Sequence, residues 1–76
     1  EVLEAEALPS SLLVGKPLRA AKIPKGLAIG GVYRDGKAIA VRGDTVIEAG
    51  DTVIIFVVRG KIAQVEKLLS VRLDFF

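Results

Sequence analysis

The chain of 76 residues contains no Cys, His, Met or Trp, and 51% of its residues are hydrophobic. Without Cys and His it has no thiol nucleophile, no imidazole base, no disulfide and no zinc site of the usual kind. A domain of this size buries only about 60–65% of the surface that its unfolded chain exposes. We therefore expect it to hide apolar surface against another copy or within a larger protein, and the missing Met likewise indicates a piece of a longer chain.

The net charge of +2 is unevenly distributed. Residues 1–15 contain three Glu and no basic residue, whereas residues 16–42 contain seven basic residues and one acidic residue. Such a segment is typical of a solvated face, or of a surface that meets phosphate, an acidic partner or a membrane surface. Its single aromatic residue, Tyr33, and the lack of a known reader motif predict no nucleic-acid partner.

Two apolar patterns near the start of the chain predict short elements. Val2 to Ala7 alternates between apolar and acidic residues, which predicts a half-exposed strand. Gly15-Lys16-Pro17 then predicts the start of a short helix, because proline is tolerated in the first turn. This N-terminal helix is expected to end at Ile23-Pro24-Lys25-Gly26.

Asp35-Gly36 predicts a β-hairpin between Leu27–Arg34 and Lys37–Val41, because a type I′ turn needs positive φ at both central positions. Strict alternation would then place Ile29 on the same face as Tyr33, with Ala28 and Val32 on the other. Both faces are apolar, so the sheet should be covered on both sides, by its own helices or by another subunit. The Gly30-Gly31 pair within the strand indicates a bulge or a close approach of another backbone.

A repeat follows the hairpin, since the sequence of residues 43–47 recurs at residues 50–54. Each copy is a Gly-Asp turn before a β-branched run, which predicts two tight turns and two strands. Thr52 to Val58 should be a central buried strand. The longest apolar run, Val53 to Val58, is too short to cross a bilayer, which needs about 20 residues. Lys61 to Leu69 predicts a C-terminal helix with one apolar stripe, followed by a short tail, Val71 to Phe76.

These elements predict a single domain over residues 1–76 of the α+β class. We expect a small, mostly antiparallel β-sheet with a short N-terminal helix and a C-terminal helix.

No pattern of residues indicates a catalytic site. No Ser or Thr has a His that could act as its base, and no two carboxylates occupy positions typical of an acid–base pair. Residues 31–37 match part of a phosphate-binding loop, but Ala38 replaces the required Ser or Thr and a strand follows. The chain is therefore predicted not to be an enzyme and to hold no metal.

Several segments together resemble the TrkA C-terminal domain, also called the RCK-C domain, over essentially the whole chain. They are residues 13–18, the strand and turn at 27–37, the Gly-Asp repeat at 43–51 and residues 65–68. The tail at residues 71–76 also resembles the C-terminus of Trk-type regulators. The resemblance implies a regulatory domain of Trk-type potassium uptake, cytoplasmic and peripheral to the plasma membrane, without insertion into it.

The resemblance also implies partners. Such domains follow a Rossmann-like domain that responds to NAD(H) or ATP, so no cofactor is expected in this chain and the nucleotide is expected on a separate upstream domain. Self-association as a dimer is expected, together with contact between the full-length protein and a membrane potassium transporter subunit. The domain would relay the nucleotide-dependent state of its neighbour to that transporter.

An alternative function is a sensor of a small anionic ligand. Some relatives bind cyclic di-AMP at the dimer interface of this domain, and their contact positions correspond to Ile23-Pro24 and Ala28-Ile29 here. The Arg and the Asn of those relatives are missing at these positions. A ligand pocket of its own would use basic residues of the hairpin region. The candidate ligand-binding residues are therefore Ile23, Ile29, Arg34, Lys37 and Arg42.

Overall fold

A four-stranded antiparallel sheet forms the centre of the structure, a computed structural model that describes residues 1–69. Its strands are β1 (Val2–Glu6), β2 (Leu27–Arg34), β3 (Lys37–Ile39) and β4 (Thr52–Val57), in the order β1-β4-β2-β3. One α-helix, α1 (Ile62–Leu69), follows β4. This α+β architecture confirms the predicted antiparallel sheet and C-terminal helix, while the predicted tail at residues 71–76 lies outside the described residues.

Strand β4 holds the sheet together because it pairs with both β1 and β2. Its run of β-branched and aromatic residues favours a strand with neighbours on both edges. Val53, Ile55 and Val57 are buried, whereas the alternate side chains are not. The strand is therefore central, as predicted, but buried on one face only.

The buried face of the sheet, called the inner face below, packs against helix α1 and the segments that connect the strands. Val65, Leu68 and Leu69 supply the apolar stripe of α1. Ala7, Leu13, Leu18 and Ile47 complete one core cluster with the inner residues of the strands. Ser11 joins this layer to the helix, since its hydroxyl donates to the Leu68 carbonyl at 3.0 Å and accepts from the Leu13 amide.

The hairpin forms at the predicted turn, but its second strand ends at Ile39 rather than at the predicted Val41. Asp35 and Gly36 have φ values of 53° and 76°, the left-handed values that a type I′ turn requires. The register is also confirmed, because Arg34 pairs with Lys37 and Val32 with Ile39.

The predicted N-terminal helix is wrong in its extent, because only the 3₁₀ turn Leu18–Ala20 forms. Pro17 and Ala21, which flank the turn, are extended, with ψ values of 146° and 133°. The Leu18 and Arg19 amides donate to carbonyls of Thr45 and Gly43 rather than to the same segment. Backbone hydrogen bonds therefore attach this segment to the later loop, and the extended conformation of Ala21 ends the turn after three residues.

The Gly-Asp repeat produces one strand of the sheet rather than the two predicted. The second copy leads into β4, but the first makes only isolated bridges, from Val46 to Pro17 and from Ile47 to Val14. A turn follows at once, where Gly50 has a φ of 93° and its amide donates to the Ala7 carbonyl. This turn leaves the first copy too short to enter the sheet.

A bulge in β2 changes which side chains share a face. Ile29 pairs with Ile55 and Gly31 with Ile54, so Gly30 is the extra residue between them. Ile29 therefore lies on the inner face with Val32, and Ala28 lies on the opposite face. Strict alternation predicted the reverse for Ile29 and Ala28, although the bulge itself was predicted from the Gly pair.

Candidate functional site

The second face of the sheet, called the outer face below, is apolar and exposed. Cross-strand pairing places Val2 and Ala28 on either side of Phe56, and Glu4 and Gly31 on either side of Ile54. Phe56 is 49% exposed and Tyr33 is 44% exposed. The outer face consists of Val2, Glu4, Glu6, Ala28, Gly31, Tyr33, Ala38, Thr52, Ile54 and Phe56.

The aromatic ring of Phe56 lies directly over the bulge. A Cβ atom placed on Gly30 would stand 2.2 Å from Cε2 of this ring, so the missing side chain leaves the space that the ring occupies. The predicted close approach at Gly30 therefore exists, but the neighbour is a side chain rather than a backbone. Glycine at this position leaves room for a large aromatic ring, and about half of that residue stays exposed.

A shallow cavity of about 440 Å³ adjoins the ring at one end of the outer face. It runs between the start of β1, the start of β2 and the end of β4. Its lining is mainly apolar, with the carboxylate-bearing Glu1 at its margin. The lining residues are Glu1, Val2, Gly26, Leu27, Ala28, Phe56, Val57 and Val58.

A separate polar cluster joins the hairpin to the loop before β4. The Nε and Nη2 atoms of Arg34 donate to the two carboxylate oxygens of Asp51 at 2.9 and 2.7 Å. Nη2 also donates to the Val46 carbonyl at 3.0 Å, and Nη1 lies 2.7 Å from Oε2 of Glu48. Asp51, only 2% exposed, also accepts from the Glu48 amide at 2.9 Å.

These contacts shift both ionisable groups toward their charged forms. The side-chain hydrogen bond from Arg34 is the main cause that lowers the pKa of Asp51, and the Glu48 amide lowers it further against the opposing effect of burial. The same hydrogen bond is the main cause that raises the pKa of Arg34. The cluster therefore carries a fixed ion pair that links two loops of the fold.

A second cavity, of about 200 Å³, opens beside this cluster. Its lining includes the carboxylates of Asp35, Glu48 and Asp51 together with Arg34. Because two of these carboxylates already contact the guanidinium, the cavity does not present a free positive charge. Among residues 1–69 no group of three or more acidic side chains is arranged to hold a metal ion.

The structure places the five predicted ligand residues in three separate regions. Ile23 and Ile29 are half-buried and pack against the core. Arg34 and Lys37 face each other across the hairpin, but Arg34 is bound to Asp51 whereas Lys37 is exposed. Arg42 is exposed in the turn that Thr45 closes, where the Arg42 amide donates to Oγ1 of Thr45. A sensor would therefore depend on Lys37 and Arg42, and the ligand role of the five residues stays a prediction.

Sequence reasoning missed Phe56 and Asp51. Phe56 was assigned to a buried strand, and only its pairing beside the β2 bulge shows that its ring is exposed on the outer face. Asp51 was interpreted as a turn residue. The repeat gave no signal for this difference, because Asp44 occupies the equivalent position of an identical first copy and is exposed, whereas Asp51 is buried.

No helix within residues 1–69 is long and apolar enough to span a membrane.

The fold is that of RCK domains. It matches a solved structure described as an RCK domain with cda, at a TM-score of 0.74 and 19% sequence identity, covering 90% of this chain and 96% of that one. A model of the TrkA-C domain matches residues 2–70. The chain therefore belongs to the TrkA-C domain family.

Curated relatives from three different organisms are all described as Trk system potassium uptake protein TrkA or a homolog of it. The Trk system potassium uptake protein TrkA of Azorhizobium caulinodans is 47% identical over 76 residues, which are 100% of this chain and 17% of the relative. TrkA of Halomonas elongata is 39% identical over 80 aligned residues, covering 100% of this chain and 18% of the relative. TrkA homolog 2 of Methanosarcina mazei is 43% identical over 70 residues, 92% of this chain and 16% of that protein. The chain thus spans less than a fifth of the length of these relatives.

Proposed function

We propose that this chain is a non-catalytic regulatory domain of a Trk-type potassium-uptake regulator. It acts by pairing with another copy through the outer face of its sheet. The pair relays the nucleotide-dependent state of a neighbouring domain to a membrane potassium transporter, at the cytoplasmic side of the membrane. Membership of the TrkA-C family and the names of the curated relatives support the regulatory part of this proposal.

The observation that carries the pairing is the apolar character of the outer face. Sheets usually bury each apolar face against another layer, and helix α1 covers only the inner one. Phe56, Tyr33 and Val2 are 49%, 44% and 63% exposed on the outer face. At roughly 25 cal/mol per Å² of apolar surface removed from water, covering three such side chains is a substantial driving force.

The nucleotide and the transporter belong to parts of the system outside this chain. We propose that NAD(H) or ATP binds to a neighbouring domain of the full-length protein and changes the arrangement of the paired domains. A coupling of this kind requires that two arrangements of the pair differ in free energy and that the ligand favours one of them.

Sedimentation equilibrium of the 76-residue chain, over a range up to high micromolar concentration, tests the pairing. We expect a reversible monomer–dimer equilibrium that Phe56→Ser shifts strongly toward the monomer, because the ring is the largest apolar group on the face. Leu12→Ser is the matched control, because Leu12 is also an exposed apolar residue, at 58%, but lies in a loop outside the outer face. The backbone amide of Leu12 donates to the Leu68 carbonyl in α1, and this hydrogen bond does not involve the substituted side chain.

A chain that stays monomeric throughout this concentration range would contradict the proposed pairing. Equal dimerisation of the Phe56→Ser variant and the unaltered chain would contradict the assignment to the outer face. Circular dichroism of each variant establishes that it is folded before its association is compared.

A further inference from the structure

We infer that a basic stripe on the segment before β2 binds an anionic lipid surface. The stripe consists of Lys16, Arg19, Lys22 and Lys25, which lie outside the strands that form the outer face. The inference goes beyond the proposed function, because it adds a direct contact with the membrane that needs neither a transporter nor pairing. Burial, charge and residue type each support this contact.

The four cations of the stripe recur at every third residue, and all four are exposed. Of the residues between them, Leu18 belongs to the core cluster, and Ala21 and Ile23 pack against it. The cations therefore lie on the solvent side of a segment whose other side packs against the core.

A turn of the later loop fixes this segment and adds a fifth cation. The Arg19 amide donates to the Gly43 carbonyl at 2.9 Å, and the residue before Gly43 is the exposed Arg42. The stripe and this turn together contain five cations and one carboxylate, that of the exposed Asp44. Positive charge is thus concentrated on two segments that backbone hydrogen bonds hold side by side.

This positive charge is not neutralised within the part of the chain that the structure describes. The ion pairs of residues 1–69 join Arg34 to Glu48 and Asp51, and none involves a cation of the stripe. Neither of the two cavities described above is lined by a residue of the stripe. The charge therefore lies on an open surface, which fits an extended anionic partner better than a small anionic ligand.

Residue types favour a lipid surface over a protein or a nucleic acid. Three of the four stripe cations are lysines, which are depleted at protein interfaces, where arginine and aromatic residues are enriched. Base stacking needs an aromatic side chain, but the exposed Tyr33 lies on the outer face of the sheet. Val41 and Val46, 40% and 39% exposed, flank the turn and supply apolar groups beside the cations. Basic residues with apolar neighbours are typical of segments that bind at the headgroup layer.

Co-sedimentation of the 76-residue chain with lipid vesicles tests the stripe. Vesicles of phosphatidylcholine with about 40% phosphatidylglycerol should bind the chain at low salt, whereas vesicles of phosphatidylcholine alone should not. Sodium chloride at about 1 M should release the chain, because the Debye length falls to about 3 Å.

A double variant identifies the residues that bind. Arg19→Gln combined with Lys22→Gln should weaken binding to the anionic vesicles about 25-fold, because each cation near such a surface contributes about fivefold in affinity. Lys37→Gln combined with Lys67→Gln is the matched control, since it removes two exposed cations from β3 and α1 and should have a much smaller effect. Circular dichroism establishes that each variant is folded.

Each contrary outcome has a separate meaning. Failure to bind the anionic vesicles, or equal binding to both kinds of vesicle, would overturn the inference. Equal losses in the two double variants would show a response to net charge alone and would overturn the assignment to the stripe. Binding to polyglutamate at the same salt concentration, without binding to the vesicles, would assign the stripe to an acidic protein instead. Self-association without vesicles should be the same for the stripe variant and the unaltered chain, so the proposed pairing is tested independently.

Discussion

Asp51 is the residue whose role depends most on its surroundings. Its carboxylate is almost fully buried and binds two nitrogen atoms of Arg34 and the amide of Glu48. A buried carboxylate is tolerated when its oxygens are paired in this way, and it becomes costly when its partner is removed. Substitution of Arg34 is therefore a poor probe of ligand binding, because it also leaves Asp51 without its cation.

The lowered pKa of Asp51 predicts loss of stability in acid. The unfolded chain takes up the proton near the ordinary value of 3.8, before the folded chain does, so the contribution of Asp51 is present above 3.8 and is lost as the pH falls through the lower folded pKa. Asp51→Asn should lower the free energy of unfolding at neutral pH by about 1–3 kcal/mol, because the new amide group faces donors.

Urea unfolding from neutral pH to well below 3.8 checks this expectation. The difference in unfolding free energy between the unaltered chain and Asp51→Asn should shrink as the pH falls. Asp44→Asn, at an exposed turn position, controls for the loss of one negative charge. A difference that stays constant over this range would show that the charge of Asp51 does not stabilise the fold.

The hairpin is the element whose shape follows most directly from its turn. The left-handed conformations of Asp35 and Gly36 match the twist of the two strands, so β2 and β3 meet in the predicted register. The register in turn places Lys37 at the edge of the sheet. Because Lys37 pairs with Arg34, its side chain leaves the sheet on the side opposite Tyr33 and Ala38.

Gly36→Ala is expected to destabilise the hairpin. A Cβ atom has open space at this position, so the cost arises from the φ of 76° alone and should be about 1–2 kcal/mol. Gly43→Ala is the matched control, because Gly43 is also in a turn but has no positive φ and its added Cβ would make an ordinary contact of 3.5 Å with Arg19. Thermal unfolding of both variants measures the effect, and equal stability would contradict it.

At the scale of the whole molecule, the sheet has two apolar faces, of which one is buried and the other exposed. Adjacent isoleucines of β4 illustrate this, because Ile55 is fully buried on the inner face whereas Ile54 is on the outer face. The inner face stabilises the folded monomer, and we propose that the outer face stabilises the pair. Under this proposal, one alternating strand contributes to folding and to association through different side chains.

Paired Ile→Val substitutions separate the two functions. Ile55→Val should lower the free energy of unfolding by about 0.5–1.5 kcal/mol, because it removes a methyl group from a packed core. Ile54→Val should change the stability of the monomer by less than about 0.5 kcal/mol, and should weaken dimerisation. Denaturant unfolding at a concentration where the chain is monomeric, combined with sedimentation, measures both quantities. A larger loss of monomer stability for Ile54→Val than for Ile55→Val would contradict the assignment of the faces.

Local patterns in the sequence determined the hairpin, the central strand and the C-terminal helix. Each follows from interactions between residues near one another in the chain, such as the positive φ at Asp35-Gly36 or the apolar stripe of α1. The resemblance to the TrkA C-terminal domain also depended on such local segments. The apolar character of both sides of the hairpin was visible in the same way, and the cover that it predicts for the outer face stays a prediction.

Only the tertiary structure decided which side chains form the outer face and what Arg34 binds. The extra residue at Gly30 reverses the alternation of β2, so the position of Ile29 depends on pairing with β4, more than 20 residues later in the chain. In place of the N-terminal helix there is a turn, which is attached to residues 43–45 by the Leu18 and Arg19 amides and is followed by the extended Ala21. Arg34 meets Asp51 across 17 residues of sequence. Hydrogen bonds between distant segments override local preference at these places, and no local pattern records which segments will meet.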